Sequence, residues 1–222
     1  MSDSPISIVV FDLGGVMIQL AGGWEAACEC AGFAPRPFTF TPEMRAKFAQ
    51  LEHGIESGSL DVDEFARLLQ QVVDDQFTAA ELCTIYLAVI QHELPGIYEI
   101  VTGLKAAGYR TACLSNTCAL HWPVLTDPQC YPAIGQLDYQ CASHLFGVRK
   151  PDLAVYRHFE DFTGFAGPQI LFFDDREENI QAAQECGWHA VLIKRSVPAA
   201  EQMYAAFAAH GMSISCDTTT AP

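Results

Sequence analysis

The stretch Ile8-Val9-Val10-Phe11-Asp12-Leu13-Gly14-Gly15-Val16 constrains this chain more than any other. An apolar, β-branched run that stops at a carboxylate reads as a strand buried on both faces of a parallel sheet. Open α/β sheets bind their ligands at the carboxyl ends of such strands, so Asp12 is a candidate reactive group. The two glycines allow a sharp turn and let backbone N–H groups approach a bound anion. The plain alternative for Asp12 is a cap on the following helix.

The rest of the chain repeats this strand-to-polar-end pattern. Tyr109 to Leu114 reads as a strand stopping at Ser115-Asn116, and Ile170 to Phe173 as one stopping at Asp174-Asp175. A weaker strand over Tyr139 to Leu145 leads to Gly147-Val148-Arg149-Lys150-Pro151, and Ala190 to Ile193 forms a last strand before a polar tail whose end, Ser213 to Pro222, looks frayed. Between these lie helical patterns: Ile97, Ile100, Val101 and Leu104 closed by Gly108; Leu153, Val155, Tyr156 and Phe159; and Asn179 to Glu185 closed by Gly187. Such alternation predicts an α/β fold, a doubly wound parallel Rossmann-like sheet with its strand ends on one edge.

The stretch from Trp24 to about Glu93 is different, because its pattern is helical throughout. Thr41-Pro42, Asp61 to Glu64 and Thr78 to Glu81 carry helix-start chemistry. Val62, Phe65, Leu68, Leu69, Val72 and Val73 share one face, as do Leu82, Ile85, Tyr86, Val89 and Ile90. The expected organisation is a core of residues 1–20 and 95–222 with an inserted α-helical cap over 21–94.

A chain of 222 residues, half of them hydrophobic, can bury a full core. Its net charge of -15 argues against nucleic acid or an anionic membrane as partner and favours a small molecule. Nine scattered cysteines without a C-x-x-C pair suggest neither a disulfide framework nor a zinc site, and point to reduced thiols in a cytoplasm. The first apolar run meets Asp12 too soon for a signal peptide, and no apolar stretch approaches membrane-spanning length. The apolar cap faces serve packing and dimerisation equally well, so monomer and homodimer both stay open.

The topology brings Asp12, Ser115, Lys150, Asp174 and Asp175 to one edge. Carboxylates sharing a crevice repel unless a cation neutralises them, and oxygen-only ligands suit Mg²⁺. With Lys150 as a second positive charge and Ser115 as a donor, the crevice suits phosphoryl transfer, with Asp12 in line to attack phosphorus.

These residues resemble the four motifs of the haloacid dehalogenase-like hydrolase superfamily, in order: Phe11 to Val16, Leu114-Ser115-Asn116, Arg149-Lys150-Pro151-Asp152, and Phe173 to Asn179. The resemblance runs from about Ile6 to Ile193 and extends to helical-cap members, similar to sugar-phosphate phosphatases with an Asp-Leu-Gly start. It implies that Asp12 is a nucleophile forming an aspartyl-phosphate, with Lys150 neutralising the phosphoryl oxygens. It further implies Mg²⁺ held by Asp12, the Gly14 carbonyl and Asp175, with Asp174 and Asn179 in support. Ser115, Asn116 and Gly15 would bind the phosphoryl group, and the Lys150–Pro151 bond would be cis.

One departure stands out. Family phosphatases carry a second aspartate, the general acid and base, where this chain has Gly14, a loss of roughly 10²–10⁴ in rate. Two alternatives follow: a hydrolytic dehalogenase, whose halide leaves without a proton, and a chain that binds a phosphorylated metabolite with little turnover. The dehalogenase branch has an aromatic residue at that position and uses no metal, so Asp174-Asp175 favours the phosphatase. Around the site, His53, His121, Trp24, Arg45 and Trp122-Pro123 could reach a substrate or simply pack, while Cys28, Cys30 and Cys113 read as core or surface thiols.

Overall fold

The computed structural model describes residues 6–34, 36 and 39–214. The chain opens with β1 (Ile8–Phe11) and β2 (Ile18–Leu20), then the helical block α1 (Trp24–Cys30), α2 (Pro42–Glu56), α3 (Val62–Val72) and α4 (Ala79–Leu87), and returns through β3 (Ile90–Glu93). After α5 (Ile97–Ala106) and β4 (Arg110–Ser115) come the short α6 (Trp122–Leu125) and α7 (Pro132–Gly135). Then follow β5 (Tyr139–Ala142), α8 (Ser143–Phe146), α9 (Leu153–Thr163), β6 (Ile170–Asp174), α10 (Glu177–Glu185), β7 (His189–Leu192) and α11 (Ala199–Ala209).

Five strands form a parallel sheet in the order β5-β4-β1-β6-β7, with β1 at its centre. Side chains along β1 alternate between two cores, as a strand's two-residue period requires. Val9 and Phe11 join Ile100, Val101 and Leu104 of α5 and Met203 and Phe207 of α11. Ile8 and Val10 join Val155, Tyr156 and Phe159 of α9 and Ala183 of α10. The sheet is therefore covered on both faces, the doubly wound layering that the alternation predicts.

The helical block has its own core, in which Phe65, Leu69, Val73, Phe77, Leu82 and Ile85 are buried together. Its helix starts follow the sequence chemistry. The Thr41 hydroxyl accepts from the Met44 N–H, Asp61 accepts from the Glu64 N–H, and Thr78 with Glu81 closes a reciprocal capping box.

Four expectations need correction. Residues 90–93 are a strand, not the end of a helix, because Ile18–Leu20 pairs with them antiparallel and supplies the backbone partners. The fifth strand stops at Ala142, where Ser143 turns the chain into α8 and its hydroxyl accepts from the Thr117 N–H. The segment after Ile193 contains α11, whose Met203 and Phe207 bury themselves against the sheet. The last helix before β7 starts at Glu177 rather than Asn179. Of the frayed tail, residues 215–222 lie outside the described residues. Cys28 and Cys113 are buried, Cys30 is exposed, and every cysteine among the described residues is a free thiol. Among the described residues no helix is long and apolar enough to cross a membrane.

Candidate active site

Three strand ends and one loop meet at the carboxyl edge of the sheet. Asp12 follows β1 directly, and its backbone N–H is fixed to the Phe173 carbonyl at 2.8 Å. Ser115 ends β4, Asp174 ends β6, and Asp175 is the next residue. Lys150 arrives on the loop between α8 and α9, through a cis Lys150–Pro151 bond. Its backbone is clamped by one side chain: Asn116 accepts from the Lys150 N–H at 2.8 Å and donates to the Lys150 carbonyl at 2.9 Å.

The Lys150 ammonium is only 1% exposed and lies 3.0 Å from Asp12 Oδ1 and 2.7 Å from Asp174 Oδ2. A buried charge is stable only when paired and hydrogen-bonded, and the two carboxylates meet that need. Burial opposes the ammonium charge, but Asp12 and Asp174 outweigh it and hold Lys150 above the ordinary lysine range. Asp12 feels burial most, which pushes its carboxyl up to about 6 against the pull of Lys150. The oxygens of Asp174 are committed elsewhere as well: the Asn179 amide donates to both, at 2.9 and 3.0 Å, and the Arg176 N–H donates to Oδ1 at 2.9 Å.

Asp12, Asp174 and Asp175 can each offer an oxygen, with these atoms all within 4.8 Å of one another. The donor set is oxygen only and acidic, which suits a small hard divalent cation. Since Asp174 is held by Lys150 and Asn179, Asp12 and Asp175 are the carboxylates with ligating capacity to spare. Asp175 Oδ2 accepts from Arg195 at 2.7 and 3.1 Å.

Gly15 serves this cluster differently from the sequence expectation. Its N–H donates to the Ile18 carbonyl at 2.8 Å, so it is not available to hold an anion. What the position requires is the lack of a side chain: its φ is +76°, and a Cβ would lie 2.6 Å from Asp175 Oδ2. Gly15→Ala is expected to destabilise the fold by about 1–2 kcal/mol through the left-handed backbone alone, and to displace Asp175 as well. A thermal melt with a midpoint equal to wild type would contradict this.

This edge opens into a cavity of about 760 Å³ between the sheet and the helical block. Asp12, Ser115, Asn116, Lys150 and Asp175 line it on one side. The opposite wall comes from the helical block and includes Trp24, Phe48 and Tyr86 together with Arg45, Glu52 and Glu56. Contacts that fasten the block over the cavity include Ser143 Oγ, which donates to the Glu56 carbonyl, and the His121 ring nitrogen, which donates to the Tyr86 carbonyl at 2.8 Å while the two rings stack at 4.5 Å.

Other singled-out residues are spread more widely. Trp24 and Arg45 line the cavity, and Arg45 sits 5.7 Å over the Phe40 ring. His121 lines it too, but its hydrogen bond and stacking give it a joining role. His53 lies in a smaller adjoining cleft of about 370 Å³ with Arg149 and Arg176. Trp122 packs edge-on against His144 at 6.0 Å. Sequence reasoning missed Glu52, Glu56 and Arg195. The four-residue spacing of the two glutamates was visible, but nothing local indicated that this helix face meets the site.

No protein-family model matches the chain. It is 28% identical over 131 residues to the phosphoglycolate phosphatase of Nitrosococcus oceani, covering 54% of this chain and 55% of that protein, so it spans about half the length of the curated relative it matches. A magnesium complex of a HAD (haloacid dehalogenase) family enzyme from Bacteroides thetaiotaomicron superposes with a TM-score of 0.71 at 19% identity, over 87% of this chain and 96% of that one. The L-2-haloacid dehalogenase of Xanthobacter autotrophicus, with chloropropionic acid covalently bound, superposes with a TM-score of 0.64 at 17% identity, over 98% and 85%. The chain is therefore built on the haloacid dehalogenase-like hydrolase fold, with the four stretches that resemble the superfamily's motifs gathered at one edge of one sheet.

Proposed function

We propose that the chain is a Mg²⁺-dependent phosphomonoester hydrolase acting on a small phosphorylated metabolite, a sugar phosphate being one such substrate. The observation that carries this reading is the buried Lys150 ammonium shared by Asp12 and Asp174, with Asp12, Lys150 and Asp175 lining one cavity. In it, residues 1–20 and 95–222 form the catalytic core and 21–94 the cap. Free thiols fit a cytoplasmic location, and the strong negative charge fits a small-molecule partner rather than nucleic acid or a membrane.

Asp12 attacks phosphorus and becomes the aspartyl-phosphate, while Lys150 balances charge on the phosphoryl oxygens it approaches. Ser115 binds the transferring group from the end of β4. Asn116 contributes by fixing the Lys150 backbone, and Asn179 by fixing Asp174. Asp12, the Gly14 carbonyl and Asp175 would hold Mg²⁺, which when bound neutralises the crossing of two anions. The helical block excludes water during transfer and its cavity wall selects the substrate. The similarity to a phosphoglycolate phosphatase supports a small anionic phosphoester.

Hydrolytic dehalogenation is the second reading, favoured by Gly14, since a halide needs no proton to leave. The acidic cluster of Asp12, Asp174 and Asp175 weighs against it. Phosphate release from a panel of small phosphomonoesters should occur with Mg²⁺, stop in EDTA and return on Mg²⁺ addition. Halide release from a 2-haloacid in EDTA, with no phosphate from the panel, would overturn the phosphatase reading.

A further inference from the structure

A phosphomonoesterase needs a proton for its leaving oxygen, and Gly14 cannot supply one. A Cβ on Gly14 would lie 2.9 Å from Leu20 Cδ1, so a side chain there would have to displace the leucine tip. The carboxylates lining the cavity among the described residues are Asp12, Asp175, Glu52 and Glu56. Asp12 forms the bond to phosphorus, and Asp175 is held by the Arg195 fork. Glu52 and Glu56 remain, one turn apart on the same face of α2.

Resting on the phosphatase reading, we infer that Glu56 is the general acid and base of this enzyme, supplied by the helical block in place of a carboxylate at Gly14. Arg149 and Lys150 are consecutive, and each binds one carboxylate: Arg149 Nη1 reaches across to the helical block and lies 3.1 Å from Glu56 Oε2, while Lys150 Nζ lies 3.0 Å from Asp12 Oδ1 on its own side. The contact to Arg149 lacks the alignment of a hydrogen bond, and buried Glu56 Oε2 has no hydrogen-bond partner. A buried polar atom left unsatisfied is costly, which favours a proton on this carboxyl. The Glu56 backbone is fixed to the core through Ser143, so the carboxyl stands at a set position relative to Asp12.

The electrostatics agree. Burial pushes the Glu56 carboxyl up to about 7, Arg149 and Lys150 pulling it down and Glu52 and Asp12 pushing it up. An acid so poised is matched to neutral operation. Glu52 is also raised, by burial above all, but its charged neighbours are Arg149 and Arg176 rather than the reacting pair.

In the first step the Asp12 oxygen–phosphorus bond forms and the ester bond breaks, its electron pair leaving on the ester oxygen, which takes the Glu56 proton. In the second, water adds to phosphorus, the Asp12–phosphorus bond breaks, and the Glu56 carboxylate takes the water proton, restoring both groups.

The test compares kcat/KM of wild type, Glu56→Gln and Glu52→Gln on 4-nitrophenyl phosphate, whose leaving group departs without a proton, and on glycerol phosphate, whose alkoxide does not. Glu56→Gln should shift the ratio of the two by about 10²-fold or more toward the aryl ester, and Glu52→Gln should not. Equal losses on both esters, an unchanged ratio, or a shift in Glu52→Gln instead would overturn the assignment of Glu56 while leaving the phosphatase reading in place. A wild-type protein that hydrolyses neither ester with Mg²⁺ overturns the phosphatase reading and this inference with it.

Discussion

Asp12→Asn should abolish phosphate release, by roughly 10⁴- to 10⁶-fold in kcat, while leaving the protein folded. The amide has the size of the carboxylate but cannot form the acyl phosphate, so the chemistry is lost. The fold has reason to tolerate it. Burial already pushes Asp12 up to about 6, which means its charged form is held at a cost, and Lys150 keeps Asp174 as partner. Steady-state assays and a thermal melt of the same preparation check both halves. Turnover within tenfold of wild type would remove Asp12 from the nucleophile's role.

Lys150→Met should show the largest loss of stability from a single side chain. Methionine fills much of the volume, but Asp12 and Asp174 are then left facing each other, buried and without their shared cation. Removing one partner of a buried ion pair typically costs about 3–5 kcal/mol, which in a domain of this size lowers Tm on the order of 10 °C. The variant should recover part of that loss on addition of Mg²⁺, because the cation would restore positive charge beside the same carboxylates. Melting curves with and without Mg²⁺ measure both effects, and an unchanged Tm in EDTA would mean that the three-residue network contributes little to the fold.

The central strand and the strand that ends in the acidic pair were legible because their information is local. Ile8–Phe11 and Ile170–Phe173 are short apolar runs terminated by aspartate, and the parallel sheet follows from their alternation with helices. Asp12, Ser115, Lys150, Asp174 and Asp175 followed by topology, since each ends a strand or enters from the loop on the same edge. What escaped was non-local. Ile90 continues the apolar spacing of α4, and only the pairing with Ile18–Leu20, some seventy residues away, makes 90–93 a strand. Ser143 likewise turns the chain through bonds to Thr117 and Glu56, which no window around it contains. The helix α11 did have a local signal, a run of alanines, the strongest helix formers, after Pro198.

Within the site, the motif residues were visible but their divisions of labour were not. Asn116 binds the Lys150 backbone with both ends of its amide, and the Gly15 N–H is spent inside its own turn. Both facts depend on where a loop folds back. The glutamates of α2 reach the cavity only because the helical block docks over the sheet edge, an arrangement written in contacts such as His121 with Tyr86 rather than in either segment alone.

The central claim is a covalent relay through Asp12, and the stereochemistry at phosphorus reads it directly. Each in-line displacement inverts the phosphorus centre, so a phosphorothioate monoester made chiral with ¹⁶O and ¹⁸O should yield inorganic thiophosphate of net retained configuration when hydrolysed in water carrying ¹⁷O. Retention is the result predicted for attack by Asp12 followed by attack of water. Inversion would mean that water displaces the leaving group in one step, and it would contradict the account.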